Sequence, residues 1–221
     1  MNYKAVLFDL DGTLIDTSFD LIDSLNALNV KQGQPLIPYI LGRKKSSDGA
    51  KGLTSLSYES AHINETLIDA FLLAYRQTKY SRSKKFPYII ELIDFLDLHK
   101  VPWGIVTNKP RYLTIELLQI VDLDSYQVLI CGDDLPERKP HPLPLIIAAT
   151  KLNINPKDII YVGDAERDIA AGRKASMFTI YVDYGYSNNS EMKKLNADIS
   201  FKRPLELLQF LQTHRSGFII L

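Results

Sequence analysis

Five short apolar runs punctuate the chain: Ala5-Val6-Leu7-Phe8, Trp103-Gly104-Ile105-Val106, Val128-Leu129-Ile130-Cys131, Ile159-Ile160-Tyr161-Val162 and Phe178-Thr179-Ile180-Tyr181-Val182. None alternates apolar with polar residues, so each suits a strand buried on both faces, as in a parallel sheet. Between them, apolar positions recur at helical spacing over residues 87–99, 110–121, 142–152 and 167–174. Strands that alternate with helices in this way predict an α/β fold built on a doubly wound parallel sheet. In such sheets ligands bind beyond the carboxyl ends of the strands.

The stretch between the first two runs breaks the alternation. Phe19, Leu21, Ile22, Leu25 and Leu28 predict a helix over 16–28, with Asp16, Thr17 or Ser18 available as its N-cap. Residues 31–52 collect glycines, prolines and the basic run Arg43-Lys44-Lys45, and read as loop and short helices. Leu67, Ile68, Phe71, Leu72 and Tyr75 predict a further helix over 65–76, and the polar run 77–85 reads as a return linker. The expected organisation is a core domain of residues 1–15 and 85–221, with a small helical cap domain, 16–84, inserted into it.

Composition narrows the class of partner. The 221 residues carry 26 basic and 26 acidic side chains, so no excess of either sign points to nucleic acid or an anionic membrane surface. Asp9 and Asp11 interrupt the first apolar run too early for a signal peptide, and no run approaches the roughly 20 apolar residues of a spanning helix. A cytoplasmic location is the expectation. Cys131 is the only cysteine, which rules out an intramolecular disulfide and reads as a buried structural thiol. The apolar tail Phe218-Ile219-Ile220-Leu221 is expected to pack on the core or to form a homodimer contact, leaving monomer and homodimer both open.

Candidate chemistry sits where the apolar runs end. Asp9 and Asp11 follow the first run and flank a single leucine; two carboxylates so close are costly unless they share a cation or a proton. The next runs end in Thr107-Asn108-Lys109, in Gly132-Asp133-Asp134 and in Gly163-Asp164, so all of these should meet at one sheet edge. His62, His99 and His214 have no partner at metal-ligand or nucleophile spacing, and His141, between Pro140 and Pro142, reads as a loop residue rather than a base.

Four ordered motifs carry a resemblance: Asp9-Leu10-Asp11-Gly12-Thr13, Val106-Thr107-Asn108-Lys109, Arg138-Lys139-Pro140 and Gly163-Asp164-Ala165-Glu166-Arg167-Asp168. Together they resemble the haloacid dehalogenase superfamily phosphatases, in the phosphoglycolate phosphatase-like branch with a helical cap after the first motif. The resemblance implies that Asp9 is the nucleophile that forms an aspartyl-phosphate, and that Asp11 is first general acid and then general base. It implies a Mg²⁺ held by the Asp9 carboxylate, the Asp11 carbonyl and Asp164, with Asp168 holding metal-bound water or orienting its neighbours. Lys139 would supply positive charge to the phosphate, and Thr107 with the backbone N–H of Asn108 would bind phosphate oxygens.

An acid at Asp11 disfavours carbon–halogen and carbon–phosphorus cleavage, which have no alkoxide to protonate. Lys109 and Arg111 are expected on the surface. The stretch 42–52 resembles the substrate-specificity loop of phosphoglycolate and N-acetylmuramic acid 6-phosphate phosphatases, with Arg43, Lys44 and Lys45 reaching a second anionic group. The expected function is hydrolysis of a small phosphorylated metabolite, first of all 2-phosphoglycolate. Other sugar phosphates, a phosphomutase and a non-catalytic binding protein are the alternatives.

Overall fold

The computed structural model describes residues 3–186 and 196–214; the apolar tail 218–221 lies outside them. In chain order, β1 (Ala5–Phe8) is followed by the short β2 (Ile15–Asp16) and by helices α1 (Ser18–Lys31), α2 (Tyr39–Ser46), α3 (Gly49–Thr54) and α4 (Glu65–Gln77). The short β3 (Lys84–Lys85) returns the chain to α5 (Ile89–Leu98), β4 (Trp103–Val106), α6 (Arg111–Ile120), β5 (Val128–Ile130) and α7 (Leu143–Leu152). Then come β6 (Ile159–Gly163), α8 (Glu166–Lys174), β7 (Phe178–Val182), β8 (Ile199–Phe201) and α9 (Pro204–Thr213).

Six strands form one sheet in the order β5-β4-β1-β6-β7-β8, and every neighbouring pair is parallel. Successive connections run outward in opposite directions from β1, which pairs Val6 with Trp103 on one side and with Ile160 on the other. The strand order therefore reverses at β1, and a crevice opens at its carboxyl end. Side chains of β1 alternate between two cores. Val6 and Phe8 join Trp103, Ile105, Leu92, Leu117 and Leu207 on one face, while Ala5 and Leu7 join Val106, Val128, Leu145, Ala148 and Ala171 on the other. Both faces are covered, which is why the runs carry no polar alternation.

The structure adds elements the pattern did not disclose. The two-residue strands β2 and β3 pair antiparallel, Ile15 with Lys85 and Asp16 with Lys84, so the polar stretch 77–85 is a linker that ends in a ribbon. β8 extends the sheet, and α9 packs against α5. The helical insertion is built on α1, which packs against α4 and α2. Asn64 caps α4, its side-chain oxygen accepting from the Leu67 N–H at 3.0 Å. The returning linker is tied back to α1, where the buried Asp20 carboxylate accepts from the Ser83 hydroxyl at 2.6 Å and from the Arg82 N–H at 3.1 Å.

Candidate active site

Asp9 leaves β1 at the reversal point with its N–H donating to the Val162 carbonyl at 2.9 Å, which fixes it beside β6. The buried ammonium of Lys139, arriving from the loop after β5, lies 2.7 Å from the Asp9 carboxylate and 2.8 Å from that of Asp168. It also donates to the Val106 carbonyl at 2.7 Å and to the Tyr161 hydroxyl at 2.9 Å. Four acceptors converge on one cation, so its position is over-determined. The loop is held from the other side by Asn108, whose amide donates to the Lys139 carbonyl at 2.9 Å and accepts from the Lys139 N–H at 3.1 Å.

Asp164, at the end of β6, is fully buried. One of its oxygens accepts from the Ser47 hydroxyl at 2.9 Å and from the Tyr186 N–H at 2.8 Å. The other has no partner among the described residues. The backbone packs hard against this group: a Cβ on Gly12, at φ +87°, would sit 2.3 Å from an Asp164 oxygen, and one on Gly185 would sit 2.3 Å from the Asp164 Cβ. Asp168, in the first turn of α8, accepts from the Ala165 N–H at 3.1 Å and lies 3.1 Å from the Tyr161 hydroxyl.

Oxygens of Asp9, Asp164 and Asp168 lie within 4.8 Å of one another, all buried. Burial, reinforced by the Asp168 charge and opposed by Lys139, pushes Asp9 up to about 6. Burial, with repulsion from Asp9 and Asp168, pushes Asp164 up to about 7. Three buried carboxylates face one ion-paired lysine and the nearby Arg167 guanidinium, with one oxygen unpartnered, so the donor set is short of positive charge by one. All-oxygen donors of this kind suit a hard divalent cation. Both Asp168 oxygens are also engaged by protein groups, one by Lys139 and the other by the Ala165 N–H.

Asp11 points another way. Its carboxylate accepts from the Thr17 hydroxyl at 2.5 Å and from the Lys109 ammonium at 3.0 Å, and Lys109 also donates to the Tyr75 hydroxyl at 3.1 Å. Lys109 is only 9% exposed, which corrects the expectation of a surface charge; it packs over the Tyr75 ring, 4.3 Å from its centroid. Arg111 does form a surface ion pair, with Asp134. Tyr186 closes the arrangement by accepting from the Thr17 N–H at 2.6 Å.

Between these residues and the helical insertion lies a cavity of about 710 Å³, to which Asp9, Asp11 and Thr107 contribute from the sheet and Ser47, Phe71 and Tyr75 from the insertion. Arg43, Lys44 and Lys45 do not line it, which corrects the expected direct reach. Arg43 donates to the Gly185 carbonyl at 2.5 Å and to the Tyr184 carbonyl at 3.2 Å, Lys45 pairs with Asp48 at 2.9 Å, and Lys44 is exposed. The reason is local: the basic run lies on α2, whose successive residues fan around the axis, and only the following Ser46–Lys51 segment faces the cavity. Sequence reasoning missed Thr17, Ser47, Tyr75, Tyr161, Arg167 and Tyr186. Ser47, Tyr75 and Tyr186 enter through long-range contacts, and only Arg167, inside a motif, stood beside a flagged residue.

Comparison with known proteins agrees with this geometry. The pattern of the haloacid dehalogenase-like hydrolases matches residues 6–182. A phosphoglycolate phosphatase of Xanthomonas campestris pv. campestris is 36% identical over 210 residues, covering 92% of this chain and 94% of its own. An N-acetylmuramic acid 6-phosphate phosphatase of Pseudomonas putida is 35% identical over 222 residues, covering 98% and 100%. Among solved structures, one described as a predicted phosphoglycolate phosphatase from Haemophilus somnus 129pt superposes with a TM-score of 0.86 at 26% identity, covering 96% of this chain and 99% of that one. The family match begins inside β1, ends with β7 and takes in all four acids and both buried lysines, and on that ground the chain belongs to the haloacid dehalogenase-like hydrolase family.

Proposed function

We propose that the protein is a Mg²⁺-dependent phosphomonoesterase acting on a small phosphorylated metabolite through an aspartyl-phosphate intermediate. The observation that carries this reading is the Asp9 carboxylate 2.7 Å from Lys139, with Asp164 and Asp168 within 4.8 Å. In the first step an Asp9 oxygen attacks phosphorus, and the ester oxygen departs with a proton from the Asp11 carboxyl. In the second, the ionised Asp11 takes a proton from water, which attacks the same phosphorus, releases phosphate and restores Asp9. Lys139 holds the Asp9 carboxylate in place and offsets charge as the dianionic phosphoryl group approaches. Thr107 and the Asn108 N–H, at the mouth of α6, receive phosphoryl oxygens. The cation, held by the Asp9 and Asp164 carboxylates and the Asp11 carbonyl, would neutralise the charge of the approaching phosphate.

Residues 16–84 act as a cap domain in this reading. Ser47 reaches Asp164 and Tyr75 reaches Lys109, so the insertion touches both halves of the site and limits the substrate to what the cavity admits. 2-Phosphoglycolate is the first candidate and N-acetylmuramic acid 6-phosphate the second; both are phosphate esters of carboxylic acids. The reaction is placed in the cytoplasm, consistent with the buried free thiol of Cys131. Phosphate release from these esters, with Mg²⁺ and with chelator, tests the reading. Chelation should abolish turnover, and Asp9→Asn should lower kcat at least about 10³-fold. Undiminished release by Asp9→Asn overturns the mechanism.

A further inference from the structure

One further cation of the site, half-buried, has no part in the chemistry above. Arg167 stands in the first turn of α8, between Asp164 and Asp168 in sequence, and its side chain lines the cavity. Its Nε is buried and has no hydrogen-bond partner among the described residues. Burial disfavours its charge, and nearby Asp168, Asp9, Asp164 and Asp48 support it. Each of those acids has a partner other than Arg167, although one Asp164 oxygen stays unpartnered among the described residues. Lys139 holds Asp9 and Asp168, Ser47 and the Tyr186 N–H hold Asp164, and Lys45 pairs with Asp48 at 2.9 Å.

The other cations near the cavity are differently placed. Lys139 is buried behind Asp9 and does not line it, and Lys109 is engaged by Asp11 and Tyr75. Lys51 of α3 and Arg138 line the wall but are exposed. A half-buried guanidinium that lines a substrate cavity and whose Nε meets no acceptor can take one from a ligand at its cavity-facing nitrogens. Its planar fork matches two oxygens at once, the geometry of a carboxylate.

We propose that Arg167, which lines the same cavity as Lys51 and Arg138, binds a carboxylate on the part of the substrate that is not transferred, and so sets the preference for phosphorylated carboxylic acids. The inference rests on the phosphomonoesterase reading and deepens it: recognition of the second anion moves from the basic run of α2 to the first turn of α8.

Two pairs of esters isolate the carboxylate: 2-phosphoglycolate against 2-hydroxyethyl phosphate, and N-acetylmuramic acid 6-phosphate against N-acetylglucosamine 6-phosphate. kcat/KM is measured on all four for the wild type, Arg167→Gln and Arg167→Lys, with thermal melts to verify folding. The wild type should prefer the carboxylated member of at least one pair. Arg167→Gln should reduce that preference about 10- to 100-fold, mainly through KM, and Arg167→Lys should restore part of it. Equal losses on both members of each pair would mean that Arg167 serves the phosphoryl group or the fold, and would overturn the proposal, as would a wild type without preference in either pair. Brisk hydrolysis of the carboxylate-free esters alone would refute the subsite while leaving the phosphomonoesterase reading intact. Release of phosphate from none of the four refutes both.

Discussion

Replacing Asp164 by asparagine should stabilise the metal-free protein at alkaline pH. A carboxyl moved by burial and repulsion from 3.8 to about 7 binds its proton more tightly in the folded chain than in the unfolded one. The folded state then holds more protons, so stability falls as pH rises from about 4 through about 7. At 1.36 kcal/mol per tenfold change in proton affinity, the ionised group costs the fold about 4 kcal/mol at pH 8. Asparagine removes that charge and keeps an oxygen to accept from the Ser47 hydroxyl and the Tyr186 N–H. Its amide nitrogen takes the place of the unpartnered oxygen without adding a charge to the Asp9 and Asp168 cluster. Part of the cost is shared with Asp9, so the expected gain is about 2 to 4 kcal/mol, or a rise in Tm of about 4 to 16 °C for a chain of this size. Thermal unfolding in chelator at pH 8 and at pH 4.5 reads it directly: the gain should be large at pH 8 and fall to about a quarter of that at pH 4.5, where the unfolded carboxyl is still mostly ionised. Added Mg²⁺ should raise the Tm of the wild type and leave that of the variant unmoved. An Asp164→Asn protein no more stable than wild type at pH 8, or equally stabilised at both pH values, would refute the electrostatic reading of this cluster.

Two further substitutions separate the cation beside Asp11 from the basic run of α2. Lys109→Met removes the ammonium that holds Asp11 and Tyr75; because the Asp11 side chain is 18% exposed and water can replace part of the contact, kcat should fall about 10- to 100-fold in steady-state assays, and Lys109→Arg should recover some of it. Arg43→Ala frees the Tyr184 and Gly185 carbonyls and should cost about 1 to 2 kcal/mol in denaturant titrations, while the ratio of kcat/KM between carboxylated and carboxylate-free esters stays at its wild-type value.

The strands and the edge that carries the site were legible because a parallel sheet buried on both faces writes its strands as unbroken apolar runs, and the chain places Asp9, Thr107 and Asp164 directly after three of them. Other elements leave little trace. β8 is three residues long and only partly covered, and β2 and β3 have two residues each. Lys109 shows why local pattern stops short of the site. It follows a strand and precedes Pro110, as many solvated lysines do, and its burial depends on Asp11, 98 residues earlier, and on Tyr75, 34 residues earlier. Arg43 misleads in the opposite sense: a basic run in a glycine-rich stretch suggested a ligand, yet its guanidinium binds backbone 141 and 142 residues away.

The ribbon of β2 and β3 brings Asp16 opposite Lys84, so the two points at which the chain leaves and rejoins the sheet lie side by side. A segment whose ends already meet can lengthen, shorten or be exchanged without moving what it is grafted onto. Everything between those ends can drift toward a new substrate while β1 goes on presenting Asp9 to Lys139. On the proposed reading of 16–84 as a cap, the ribbon would make the helical part a replaceable module and let one reaction be inherited separately from the choice of molecule on which it is performed.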